Sequence, residues 1–244
     1  MIERHIDIQT TDGEMNSFLV HPDEGGPHPV VLFYMDAPGK REELHDMARR
    51  IASVGYYVLL PNLYYRDVRE FNLTMPGATR ERMQELMGHL TNAMVCEDTR
   101  AMFDFLAGEE AAGSGPVGAI GYCMSGPFVF AAAAEFADRI RASASLHGVR
   151  LHTDAPDSPH LTADRIQGEI YFGCAETDSW APPELIERLD AHLATTAIDY
   201  RIEWYPGTAH GFVFPQREGI YVKDAAERHW QRLFAMFRRQ LDVA

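Results

Sequence analysis

Two stretches of the 244-residue chain, "PVVLFYM" (29–35) and "YYVLLP" (56–61), are apolar almost without interruption. A strand with one wet face alternates. A run like these reads as a strand buried on both faces, which requires helices packed on each side of its sheet. The intervening segments supply them. From Arg41 to Val54 the apolar residues Leu44, Met47, Ala48, Ile51 and Ala52 recur at helical spacing before Gly55. The same alternation continues down the chain. Ala78–Leu106 is helical with a break near Gly88, "PVGAIGY" (116–122) a strand, Met124–Phe136 a helix and "RASASLHG" (141–148) a strand. "GEIYFGCAETD" (168–178) runs from strand into loop, Pro183–Ala194 is helical, "IDYRIEWYP" (198–206) is a strand and Ala225–Leu241 closes the chain as an amphipathic helix. At the start, "HIDIQT" and "MNSFLV" flank the turn signal "TDGE" and predict an antiparallel hairpin. The expectation is a single α/β domain over 1–244 with a mainly parallel sheet, whose binding crevice lies at the carboxyl ends of the strands.

Charge and composition narrow the function. A formal charge of −14, with no basic cluster to offset it, disfavours nucleic acid. The three cysteines, Cys96, Cys123 and Cys174, make no disulfide framework, and neither CxxC nor HExxH occurs, so neither a metal nor another cofactor is called for. The N-terminus lacks the apolar core of a signal peptide, and the longest apolar run, Pro127–Ala134, is far short of a membrane span. A cytoplasmic enzyme or binding protein acting on a small molecule, away from membranes, is the expectation, with its oligomeric state open.

One turn stands apart. "GYCMSG" places Cys123 between small residues at a strand-to-helix junction, the setting of a nucleophile elbow with cysteine in place of serine. Backbone N–H groups at the start of the next helix favour a thiolate there, and the Met124 amide offers one oxyanion donor. The alternative is a small apolar residue in a tight turn, and partners decide between the two. Those partners are expected after later strands, in the order nucleophile, acid, base. "AETDSW" supplies Asp178, with Glu176 a rival nearer the strand, and "GTAHGF" supplies His210. His147 also ends a strand but precedes the acid, which is the wrong order. Cys96 and Cys174 lack the elbow context.

With "GYCMSG", "AETD", "AHGF" and "LLPNLYYR" in place, the chain resembles the dienelactone hydrolase (carboxymethylenebutenolidase) family of the α/β-hydrolase fold over nearly its whole length. The resemblance implies Cys123 as nucleophile, His210 as base and Asp178 as its orienting acid. It also implies an acid touching the resting thiol, a place taken here by Asp36, and arginines for a substrate carboxylate, for which Arg66 and Arg69 lie in the right neighbourhood. Nothing comparable follows His210 except Arg217, seven residues on. Ala37 is the candidate second oxyanion amide. Tyr64, Tyr65, Trp180 and Phe212 are candidates to line the pocket, and residues 66–91 could form a cover over it. The activity implied is hydrolysis of carboxylic esters or lactones through an acyl-enzyme. The rivals are a general carboxylesterase or thioesterase without lactone preference, and a binding protein that has lost hydrolysis.

Overall fold

The computed structural model describes residues 1–241, so the last three residues of the expected domain lie outside the described residues. One eight-stranded sheet organises it, in the order β1-β2-β4-β3-β5-β6-β7-β8. β1 (Ile2–Thr10) and β2 (Gly13–His21) form the expected hairpin, and β2 pairs antiparallel with β4 (Tyr57–Pro61). From β4 onward all pairings are parallel, through β3 (His28–Tyr34), β5 (Ala112–Tyr122), β6 (Ile140–Leu146), β7 (Glu169–Thr177) and β8 (Asp199–Ala209). This is the α/β-hydrolase architecture.

The unbroken apolar runs are buried as their pattern requires. Phe33, Leu59, Ile120, Ala144 and Phe172, one from each central strand, are fully excluded from solvent. The helices that cover them are α1 (Glu42–Ala52), α2 (Arg80–His89), α3 (Asn92–Leu106), α4 (Gly126–Glu135), α5 (Pro183–Leu193) and α6 (Lys223–Gln240). Arg50 of α1 and Glu227 of α6 join their helices by two hydrogen bonds of 2.8 and 2.5 Å. The expected break near Gly88 falls at Leu90–Thr91. There Thr91 leaves helical geometry and its hydroxyl caps α3 by accepting from the Met94 amide, as Thr79 caps α2.

The carboxyl ends of β5, β6, β7 and β8, adjacent in the sheet, deliver Cys123, His147, Asp178 and His210 to one edge of the molecule. Within residues 66–91, α2 and the residues after it supply Met87, Leu90 and Thr91 to one wall of a cleft that Met124, Pro127 and Phe128 also line.

Candidate active site

The elbow departs from the expected helix start in one respect. Cys123–Ser125 forms a single 3-10 turn, and α4 begins at Gly126. Cys123 itself has φ = 54°, left-handed backbone that a non-glycine residue rarely adopts and that costs on the order of 1–3 kcal/mol. The surroundings enforce it. A Cβ on Gly121 would lie 2.6 Å from the Ser125 carbonyl oxygen and 2.7 Å from a Val129 methyl, so only glycine fits. The Ser125 hydroxyl donates to the Met35 carbonyl, pinning the turn to the end of β3. Cys123 is left half-buried, and its neighbour Met124 lines the cleft.

Asp178 and His210 meet as their chain order predicts. Asp178 Oδ1 accepts from the Trp180 and Ala181 amides at 2.9 and 3.1 Å, which locks the carboxylate, and Oδ2 lies 2.7 Å from His210 Nδ1. Glu176, the rival acid, accepts instead from the Gly207 amide at 2.7 Å, bracing the loop that carries His210. Burial opposes a charge on His210, but the Asp178 hydrogen bond and the nearby Cys123 sulfur outweigh it and raise the imidazole to about 9. Its Nε2 is buried with no hydrogen-bond partner among the described residues. The Asp178 bond occupies Nδ1 and leaves Nε2 as the unpaired ring nitrogen.

The other expected residues divide. Tyr64 is buried behind the elbow, its hydroxyl donating to the Ala37 carbonyl at 2.8 Å and facing the Met124 sulfur at 3.3 Å. Phe212 is buried against Tyr205 and His147, and Trp180 stands exposed on the Asp178 loop. Asp36 hydrogen-bonds not to the thiol but to guanidinium groups: Arg41 at 2.5 Å and 3.3 Å, and Arg217 at 3.2 Å. Its shorter side chain is wholly buried among them. Arg41, unremarked in the sequence, sits five residues on, close enough to claim the same carboxylate.

Arg66 and Arg69 are engaged away from the elbow. Arg66 makes a two-pronged pair with Asp98 of α3 at 2.7 and 3.0 Å, reaches Asp12 at 2.6 Å, and lies over the Tyr65 ring. Tyr65 itself donates to Asp98 at 2.8 Å. Arg69 pairs with Asp7 at the surface. Neither is free to hold a substrate at the cleft. Arg150 is a different case. It lines the cleft with Met124, Pro127, Phe128 and Val149, adopts φ = 52°, and has no ion pair among the described residues. The signal for it was faint, since nothing in "HGVR" announces a cleft residue. The cleft holds about 170 Å³, room for a small acyl or ring system. No group of three or more His, Cys, Asp or Glu among the described residues could hold a metal ion.

The model of the dienelactone hydrolase family matches residues 15–241. The chain belongs to that family. A member of it is a hydrolase, and the dienelactone hydrolase assignment makes this chain one that acts on carboxylic ester bonds. A Synechocystis sp. protein assigned as a carboxymethylenebutenolidase is 26% identical over 246 residues, covering 97% of this chain and 99% of the relative. One from Methylorubrum extorquens with the same assignment is 27% identical, covering 98% and 81%. The crystal structure of a Klebsiella pneumoniae protein assigned as a dienelactone hydrolase superposes with a TM-score of 0.88 at 22% identity, over 98% of each chain. That likeness places the fold of this dienelactone hydrolase family member beyond its sequence pattern. No described helix is long and apolar enough to cross a membrane.

Proposed function

We propose that the protein cleaves carboxylic esters or lactones through a Cys123–His210–Asp178 triad and an acyl-enzyme. The observation that carries this reading is the 2.7 Å bond from Asp178 to His210 Nδ1 beside a cysteine held in left-handed backbone at a helix start. His210 Nε2 takes the thiol proton, and the Cys123 sulfur attacks the carbonyl carbon. Negative charge grows on the carbonyl oxygen and is met by the Met124 amide and by the Ala37 amide across the cleft floor. As the carbonyl re-forms, the alcohol leaves with a proton from His210. Water then hydrolyses the thioester with His210 as base. Tyr64, bonded to the Ala37 carbonyl, holds the second oxyanion loop in place. Asp36 serves as the shared anchor of Arg41 and Arg217.

Hydrolysis of p-nitrophenyl acetate tests the triad. Cys123→Ala should abolish turnover, and His210→Ala should lower kcat/KM by about 10²–10⁴-fold, the usual worth of general-base assistance. Retained activity in Cys123→Ala would place the chemistry elsewhere. The engagement of Arg66 and Arg69 with other acids favours a second reading, a general carboxylesterase without preference for carboxylate-bearing lactones. A comparison of cyclic enol lactones with simple aryl esters decides between them.

A further inference from the structure

His147 was set aside by chain order, yet its surroundings are costly in two ways. Its backbone is left-handed, with φ = 39°, and its ring is fully buried with neither nitrogen hydrogen-bonded to any described residue. A neutral imidazole always offers one donor and one acceptor, and native proteins rarely leave buried polar atoms unspent without a use for them. The ring lies edge-on to His210, with centroids 4.6 Å apart, and His210 Nε2 likewise has no hydrogen-bond partner among the described residues. Ser145, two residues earlier, adds a further unpartnered oxygen.

The position is held firmly. The His147 amide donates to the Gly173 carbonyl of β7 at 2.6 Å, and the Val149 amide donates to the Cys123 carbonyl at 3.1 Å, so this loop and the nucleophile are tied together. The rest of its shell, Tyr122, Phe212 and Phe214, presents aromatic rings to it. Burial, with the charges of His210 and Arg217 nearby, holds His147 well below the ordinary histidine range, which favours the neutral ring with its acceptor lone pair.

Resting on the acyl-enzyme reading above, we propose that His147 is a further catalytic residue that acts in deacylation, accepting a hydrogen bond from the attacking water while His210 takes its proton. The water oxygen bonds to the thioester carbon and one water proton passes to His210 Nε2. The other O–H points at the unspent His147 nitrogen, which fixes the attack direction. The C–S bond then breaks, and the proton on His210 returns to sulfur. The product acid carries the water oxygen, and thiol and imidazole are restored. Acylation makes no use of this water, so His147 affects only the second half of the cycle.

Stopped-flow hydrolysis of p-nitrophenyl acetate separates the halves. In His147→Phe the first p-nitrophenolate should be released at the wild-type rate. Steady-state turnover should fall about 3–10-fold, the size one hydrogen bond commands, and acetyl-Cys123 should accumulate by intact-protein mass spectrometry. His147→Gln, which restores an acceptor, should recover most of the turnover. If the phenyl ring is not accommodated, His147→Met gives the same comparison. Equal turnover in the Met and Gln variants, or acylation falling in step with turnover, would overturn the proposal while leaving the triad standing. Turnover by Cys123→Ala without any acyl adduct would overturn the acyl-enzyme reading, and this inference with it.

Discussion

The three cysteines show how environment rather than identity separates a reactive group from an inert one. Burial pushes the Cys96 and Cys174 thiols up to about 12, so both remain protonated and shielded at neutral pH. Cys123 is half-buried on a strained, left-handed turn close to His210. A limiting dose of iodoacetamide at pH 7.5 should therefore alkylate Cys123 first, with ester hydrolysis lost in proportion, as peptide mapping would show. Preferential labelling of Cys96 or Cys174 would contradict it. The strained turn at Cys123 and the meeting of Asp178 with His210 were legible in the sequence because each rests on a local signal: a small-residue turn, a polar residue just past a strand, and a glycine-flanked histidine. Asp36 was not. Its partners depend on Arg41 folding back and on Arg217 arriving from 181 residues away, and neither contact has a periodicity to betray it.

Between residues and fold lie the joints that keep the elements in register. The Arg66–Asp98 pair ties the loop after β4 to α3, and Asp12 extends the joint to the hairpin turn. Asp98 is fully excluded from solvent; burial pushes its carboxyl up, and Arg66 and Tyr65 pull against that shift. Asp98→Ala leaves a mostly buried guanidinium with one exposed partner, a loss of about 3 kcal/mol by analogy with other broken buried pairs. Calorimetry should find Tm lower by about 6–12 °C. An unchanged Tm would mean that Asp12 suffices. Here too the sequence went part of the way. Apolar runs and stripes gave the elements, with bounds off by up to about four residues as at the start of β5, because each must bury its own face. The insertion of β4 between β2 and β3 was not visible, since both of its faces are buried and no pattern distinguishes one neighbour from another. The same holds for the meeting of His147 with His210, which exists only because β6, β7 and β8 lie side by side.

For the molecule as a whole, histidines pull stability in opposite directions. Burial lowers His229 to about 3 and His160 to about 4, both below their value near 6.5 in the unfolded chain. Below about pH 6.5 the unfolded state binds more protons than the native one, and stability falls with falling pH. His210 behaves oppositely. Its folded value, about 9, exceeds the unfolded one, so its contribution of up to about 3 kcal/mol is complete below pH 6.5 and is lost as pH rises through 9. Urea unfolding at pH 5, 6.5 and 9 should give a maximum near the middle value, and Asp178→Asn should flatten the alkaline side. A profile that rises steadily to pH 9 would show that the Asp178–His210 pair contributes little to folding. The close approach of backbones under the elbow sets a different kind of boundary. A Cβ on Gly126 would meet the Gly148 backbone at 2.5 Å and the Ser145 hydroxyl at 2.6 Å, both from the β6 side of the site. The floor of the site is thus closed to variation, while Met87 and Thr153 on the cleft wall lie outside that backbone contact. A laboratory seeking new substrates from this scaffold should randomise that wall and leave the floor alone.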